Sequence, residues 1–262
     1  MAAPGDISID IADGIATLRL ANPARRNAIS TVMWTKIAAF AQKVATRGDV
    51  RVVIIRGEGK DMFSAGADIS DFATARSGEG NAKAYDDLVE NTCRTIEAIP
   101  QPTIGVIYGG CMGAGSSVAA SCDMRIAASD AFFAVPAAKL GLGYDPRGIT
   151  RFIRVFGAGF TRQVLFTADR LSALRAYEVG AVHVVAPKAE VAALTAGLAQ
   201  KIASNAPLTI KAAKAAIRAL TTNDAELMAE AERLYAAADA STDYAEGRLA
   251  FAEKRPPRFI GS

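Results

Sequence analysis

The sequence predicts an α/β fold, a spiral of ββα units followed by a helical tail. Three observations predict it. Strand patterns crowd the first half of the 262 residues and helical patterns the second. Strand–strand–helix segments of similar length recur along the chain. And one stretch, residues 103–123 (TIGVIYGGCMGAGSSVAASCD), runs from a β-branched strand through a glycine-rich turn into a helix of small residues.

Each element has its own warrant. Ile7-Ser8-Ile9-Asp10-Ile11 and Ile15-Ala16-Thr17-Leu18-Arg19-Leu20 alternate about Asp13-Gly14, a β-hairpin signature. Residues 22–27 form a loop carrying Arg25 and Arg26. Ser30 caps a helix to about residue 46, apolar at Val32, Met33, Ile37, Phe40 and Val44. Residues 50–56 are a Val/Ile-rich strand. Met62-Phe63-Ser64-Ala65-Gly66-Ala67-Asp68-Ile69 is a short strand ending in small residues and an acid. The polar, Gly-rich residues 76–83 predict a mobile segment, and residues 81–98 a helix that Pro100 and Pro102 end.

Beyond the central stretch, residues 124–128 and 131–135 are strands, and residues 136–148 a long glycine-bearing loop. Helices follow over 149–156, 159–167 and 172–179. Residues 182–185 are a short strand. From about residue 188 the chain is helical, broken near Asn205-Ala206-Pro207 and residues 221–224.

Composition excludes several classes. The net charge is +3, with no basic run interleaved with aromatics, so a nucleic-acid protein is not expected. Half the residues are apolar and 22% charged, ordinary for a soluble protein. Residues 98–122 carry no charge, but Pro100, Pro102 and the glycines break them as a membrane span. The first ten residues lack the apolar core of a secretory signal. Cys93, Cys111 and Cys122 have no metal-binding spacing and read as packing residues in a reducing cytoplasm, with no metal site expected.

The glycine-rich turn admits three uses. It packs a helix closely on a strand, cradles a phosphate, or aims free N–H groups and a helix dipole at a developing negative charge. Neither a Walker pattern nor G-x-G-x-x-G fits, since Gly113-Ala114-Gly115-Ser116-Ser117-Val118 lacks the last glycine.

Taken in order, several motifs resemble the crotonase, or enoyl-CoA hydratase/isomerase, superfamily. They are Asn22-Pro23-x-Arg25-Arg26-Asn27-Ala28, residues 63–69, the 109–115 loop with residues 122–127, Lys139-Leu140-Gly141-Leu142, Thr167-Ala168 with Ser172-Ala173, and residues 251–255. The resemblance covers nearly the whole chain. It implies a crotonase-like ββα spiral over residues 1–200, holding a CoA cleft, and a C-terminal helical region over 201–262 that builds a homotrimer or a dimer of trimers. It implies an acyl-CoA thioester as substrate, with no separate cofactor, and an oxyanion hole made by the N–H groups of Ala67 and Ala114. By the same resemblance Ala65, Asp68 and Ile69 line the adenine and pantetheine path, Arg25 meets the CoA phosphates, and Phe251 and Lys254 reach the nucleotide of a neighbouring subunit.

The chain departs from the family where hydratases carry two glutamates that hold and split water. The matching positions here are Ser117 and Ala137. A serine hydroxyl is a poor base at neutral pH and alanine has no acid–base group, so efficient hydration is not expected. Asp145 remains, placed like the catalytic Asp of some dienoyl-CoA isomerases and of 4-chlorobenzoyl-CoA dehalogenases. It reads as an acid/base or nucleophile, or as a turn residue paired with Arg147 or capping the next helix. Tyr144 is a candidate donor to substrate. The dehalogenase reading fails, because the only His and Trp, His183 and Trp34, lie outside the motifs; His183 reads as packing. Tyr85, Leu88 and residues 70–82 are expected to shape the acyl pocket. Two function classes follow: an acyl-CoA lyase or isomerase, or a catalytically weak acyl-CoA binder.

Overall fold

The computed structural model describes residues 5–71 and 81–262. The expected mobile segment falls mainly outside those residues. The chain opens with a hairpin, β1 (Asp6–Ala12) and β2 (Ile15–Ala21), in register Ile9 opposite Leu18. Asp13 and Gly14 both take positive φ, 50° and 75°, the requirement of a tight two-residue turn that follows the strand twist. Ser30 caps α1 (Thr31–Ala45) by accepting from the Met33 N–H, and the helix buries Met33, Trp34, Ile37, Phe40 and Val44.

Three ββα turns follow. The first is β3 (Val52–Gly57), β4 (Met62–Ser64) and α2 (Asn81–Glu97). The second is β5 (Thr103–Ile107), β6 (Gly110–Met112) and α3 (Ala114–Ser121). The third is β7 (Met124–Ala128), β8 (Phe132–Ala134) and, after a 3-10 turn at Pro136–Leu140, α4 (Pro146–Thr167), kinked at Gly157. Each turn gives its first strand to one sheet and its second to another. With β9 (Leu171–Ser172), α5 (Ala173–Glu178) and β10 (Val184–Ala186), the sheets read β1-β2-β3-β5-β7-β10 and β4-β6-β8-β9. β2, β3, β5, β7 and β10 run parallel, which explains why β3 and β5 are near-continuous buried runs rather than alternating ones.

Four elements differ from the sequence reading. The glycine-rich turn contains a strand, β6, which pairs with β4 and β8. Gly110 hides it: a Cβ there would lie 2.5 Å from the Met62 Sδ, so the strand must use a residue of poor β propensity. β9 was also not anticipated; its two residues are strand only through long-range pairing with β8. α4 starts three residues earlier than expected, with Asp145 as cap and Pro146 in the first turn, where a missing N–H does no harm. The tail is α6 (Val191–Ala203), α7 (Pro207–Thr222), α8 (Ala225–Asp239) and α9 (Thr242–Glu253), with an extra break at Ser241, whose Oγ accepts from the Tyr244 N–H.

Two polar clamps tie the spiral together. Asp123 accepts from the Thr103 N–H (2.7 Å) and Oγ1 (2.8 Å), fixing the end of α3 to the start of β5. Arg125 is buried without a carboxylate; it donates to the carbonyls of Ala119, Cys122, Asp123 and Ala181. His183 packs here as expected. Its Nδ1 accepts from the Arg125 N–H at 3.1 Å, and burial beside Arg125 holds its pKa below the ordinary value. Among the described residues no helix is long and apolar enough to cross a membrane.

Candidate active site

The three ββα turns converge on a cavity of about 160 Å³ between α2, α3 and the 136–145 segment. Its lining brings together Ala65, Ala67, Ile69, Ala114, Ser117, Ala137 and Asp145, residues that the sequence spreads over eighty positions. The other lining groups are mainly apolar, among them Val89, Val135, Leu140 and Leu142.

Two backbone donors face this space. Ile29 donates to the Gly66 carbonyl and accepts from the Asp68 N–H, so the flanking peptides of Ala67 point one way and its own N–H points the other. Ala114 is the first residue of α3, where an N–H has no intrahelical partner. Neither N–H donates to any described residue. Each follows a glycine at positive φ, Gly66 at 106° and Gly113 at 47°, a backbone conformation that side-chain-bearing residues rarely adopt. The two turns abut: a Cβ on Gly66 would lie 3.8 Å from the Ala114 nitrogen, and one on Gly113 3.9 Å from the Gly66 Cα. Gly115 lets α3 sit against β4, since a Cβ there would be 2.6 Å from the Ser64 Cβ. The positive end of α3 adds to the field at the same point.

The rest of the polar lining is restrained. The Ser117 and Tyr144 hydroxyls lie 2.9 Å apart. Tyr144 is partly exposed as a residue, but its phenol sits deep beside Glu90, Cys93 and Arg151, and desolvation raises its pKa well above the ordinary value. It stays protonated at neutral pH. Asp145 takes the arrangement the sequence allowed as its structural alternative. Its carboxylate accepts from the Arg147 N–H (2.8 Å) and from the Arg147 guanidinium (2.6–3.1 Å). That pairing pulls its pKa below the usual carboxylate value. Arg147 also holds Asp87 at 2.7 Å.

Glu90 was not foreseen. It projects from α2 into the lining, buried, with both oxygens held by Arg151 at 3.2 and 2.9 Å; Arg151 also donates to Glu97. In sequence it reads as one more charge on an amphipathic helix, and only the Arg151 contact, 61 residues away, marks it. Tyr85 lines the cavity as expected; Leu88 does not.

The outer residues fall into two places. Arg25 is half-exposed, is not part of the cavity lining, and pairs with Asp68 at 2.5 Å and with Ser70. Asp68 is therefore buried behind the lining rather than on it. Phe251 and Lys254 lie on and just after α9, away from this cavity; Phe251 is 87% exposed and Lys254 closes the helix at φ 56°. Among the described residues no group of His, Cys, Asp and Glu is placed to hold a metal ion.

Residues 10–262 match the enoyl-CoA hydratase/isomerase family model. A probable enoyl-CoA hydratase of Mycobacterium leprae is 34% identical over 98% of this chain and 100% of its own length. A short-chain-enoyl-CoA hydratase of Clostridium acetobutylicum is 31% identical over 92% of each chain. A crystal structure of an enoyl-CoA hydratase/isomerase family protein from Hyphomonas neptunium superposes with a TM-score of 0.91 at 34% identity, covering 98% of both chains. A similar structure from Magnetospirillum magneticum gives 0.91 at 32% identity, covering 98% of this chain and 96% of its own. The two sheets wound as ββα turns are thus the crotonase spiral, and the chain belongs to the enoyl-CoA hydratase/isomerase family.

Proposed function

We propose that this protein processes an acyl-CoA thioester by stabilising the enolate form of its carbonyl on the N–H groups of Ala67 and Ala114. One observation carries the reading: two residues whose N–H groups have no partner among the described residues, each following a positive-φ glycine, line one mainly apolar cavity. Two such donors, fixed before the charge develops, are worth about 3 kcal/mol each in a dry site. Ala65 and Ile69 then flank the pantetheine arm, and Arg25 offers its outer face to the CoA phosphates. Coenzyme A enters as part of the substrate.

Efficient hydration is not part of the proposal. Ser117 and Ala137 provide no carboxylate, and the carboxylates of Glu90 and Asp145 are held by arginines. The rival reading gives Asp145 a proton transfer. Its place in the lining favours that; the Arg147 fork and the lowered pKa make it a weak base. We assign it to holding the 144–147 turn. Asp145→Asn, which keeps the cap, then alters turnover less than threefold, and a larger loss would return it to the chemistry.

The C-terminal helices expose Ile217, Leu220, Tyr235 and Phe251 at 63–87%, an apolar surface suited to a homotrimer or a dimer of trimers. A monomer mass by light scattering at micromolar concentration would contradict that assembly. Three free, buried cysteines suit a cytoplasmic location.

The test of function is mass spectrometry of enoyl-, dienoyl- and saturated acyl-CoAs incubated with the protein in heavy water, with chromatography to resolve isomers. Exchange or isomerisation without added water supports the reading. Rapid hydration would refute it, and binding without any turnover would favour the weak acyl-CoA binder.

A further inference from the structure

The Ser117–Tyr144 pair holds a proton that no described residue accepts. Each hydroxyl has one O–H. The 2.9 Å contact between them consumes one, whichever group donates, and neither hydroxyl has another partner among the described residues. The second O–H is left at the wall of an otherwise mainly apolar cavity, where an unpaired donor is costly unless a ligand accepts from it.

The pair is also held in place. Tyr144 packs edge-on against Phe152 (centroids 5.9 Å, 84°), and its ring fits against α4 because residue 148 is glycine. A Cβ at Gly148 would come within 3.0 Å of the Tyr144 Cε1. Ser117 lies three residues beyond Ala114 on the same face of α3, about 4.5 Å along the axis. A thioester carbonyl seated at the Ala114 N–H, with its acyl chain laid along α3 inside the same cavity, brings that chain past the pair. An oxygen on C3, two bonds from the thioester carbon, is the ligand atom that meets it.

We infer that the acyl group carries a carbonyl at C3, so that the substrate class is a 3-oxoacyl thioester. This rests on the thioester seat proposed above and deepens it. A C3 ketone accepts the remaining O–H. It also removes the need for the missing carboxylates, because a C2 proton between two carbonyls is far more acidic than one beside a thioester alone. In the step implied, the C2–H bond breaks and the proton passes to water. The electron pair spreads over C1, C2 and C3, with charge on both oxygens. The Ala67 and Ala114 N–H groups hold the first oxygen and the hydroxyl pair the second. Return of a proton from water restores the substrate, so the first observable event is C2 exchange with solvent.

The test is calorimetric titration with acetoacetyl-CoA and butyryl-CoA, equal in chain length and differing at C3. Each protein is judged by its affinity ratio for the two. The parent protein is expected to favour acetoacetyl-CoA by about tenfold, one hydrogen bond's worth, and to develop the near-ultraviolet enolate band of the bound ligand. Tyr144→Phe, which keeps the ring on Phe152, and its combination with Ser117→Ala are expected to bring the ratio toward one and remove the band. A parent ratio near one, or a ratio unmoved in the double variant, overturns the 3-oxoacyl assignment and leaves the seat standing. Failure of butyryl-CoA and acetoacetyl-CoA alike to bind the parent protein overturns the seat and this inference with it.

Discussion

Replacing Ala114 by proline removes one atom that the account depends on, the N–H hydrogen, and little else. Ala114 is the first residue of α3, a position where proline's fixed φ of about −65° suits the helix. Gly113, at φ 47° and ψ −115°, lies outside the region that a following proline disfavours. The lost N–H donates to no described residue, so no hydrogen bond among the described residues is broken. The change in folding stability is therefore expected to stay within about 1 kcal/mol. Turnover is a different matter. Loss of one oxyanion donor lowers kcat by about 10²–10³, or about 2.7–4 kcal/mol. The assay is turnover or C2 exchange of the fastest thioester in the heavy-water panel, with chemical denaturation on the same samples. A variant that folds like the parent and keeps its rate within threefold would refute the placement of the oxyanion at this N–H.

Other expectations rest on separate parts of the molecule. Arg151→Met leaves the Glu90 carboxylate buried without its partner, and urea denaturation is expected to show a loss of about 3–5 kcal/mol. Gly115→Ala drives a methyl to 2.6 Å from the Ser64 Cβ; it is expected to lower stability by about 1–3 kcal/mol and, by prising α3 from β4, to slow turnover as well. Glu246 accepts from the Arg255 guanidinium at 2.7 and 2.9 Å and from the Arg258 N–H at 2.8 Å, which pulls its pKa from 4.5 to about 2. Because the folded value is the lower one, the contact is fully present above pH 4.5 and is lost as pH falls toward 2. Hydrogen exchange should show the Arg258 amide losing protection across that window before the core strands do; simultaneous loss would contradict it.

The sequence carried the fold well where the signal was local. The hairpin was legible because Asp13-Gly14 sits between alternating runs, and α1 because Ser30 precedes an apolar stripe. The crotonase resemblance named Ala67 and Ala114 together, and the structure adds what sequence could not, that a Cβ on Gly113 would lie 3.9 Å from the Gly66 Cα. Illegible features were those defined by distant partners. β6 is strand only because β4 and β8 flank it, and its glycine masks the pattern. Ser117 was found through a family position, but its partner Tyr144 arrives from 27 residues away, across a 3-10 turn. The resemblance placed Asp68 on the substrate path, and what the sequence did not show is that Arg25 and Ser70 satisfy its carboxylate. Glu90 and Arg151 look like surface charges until α2 and α4 bury them against each other.

In the proposed function two backbone N–H groups grip the thioester carbonyl. Isotope-edited infrared spectroscopy of a bound acyl-CoA, labelled at C1, reads that bond directly. The expected result is a carbonyl stretch at lower frequency than in solution, with part of the shift recovered in Ala114→Pro. A bound carbonyl at its solution frequency, or a shift untouched by that substitution, would contradict the claim.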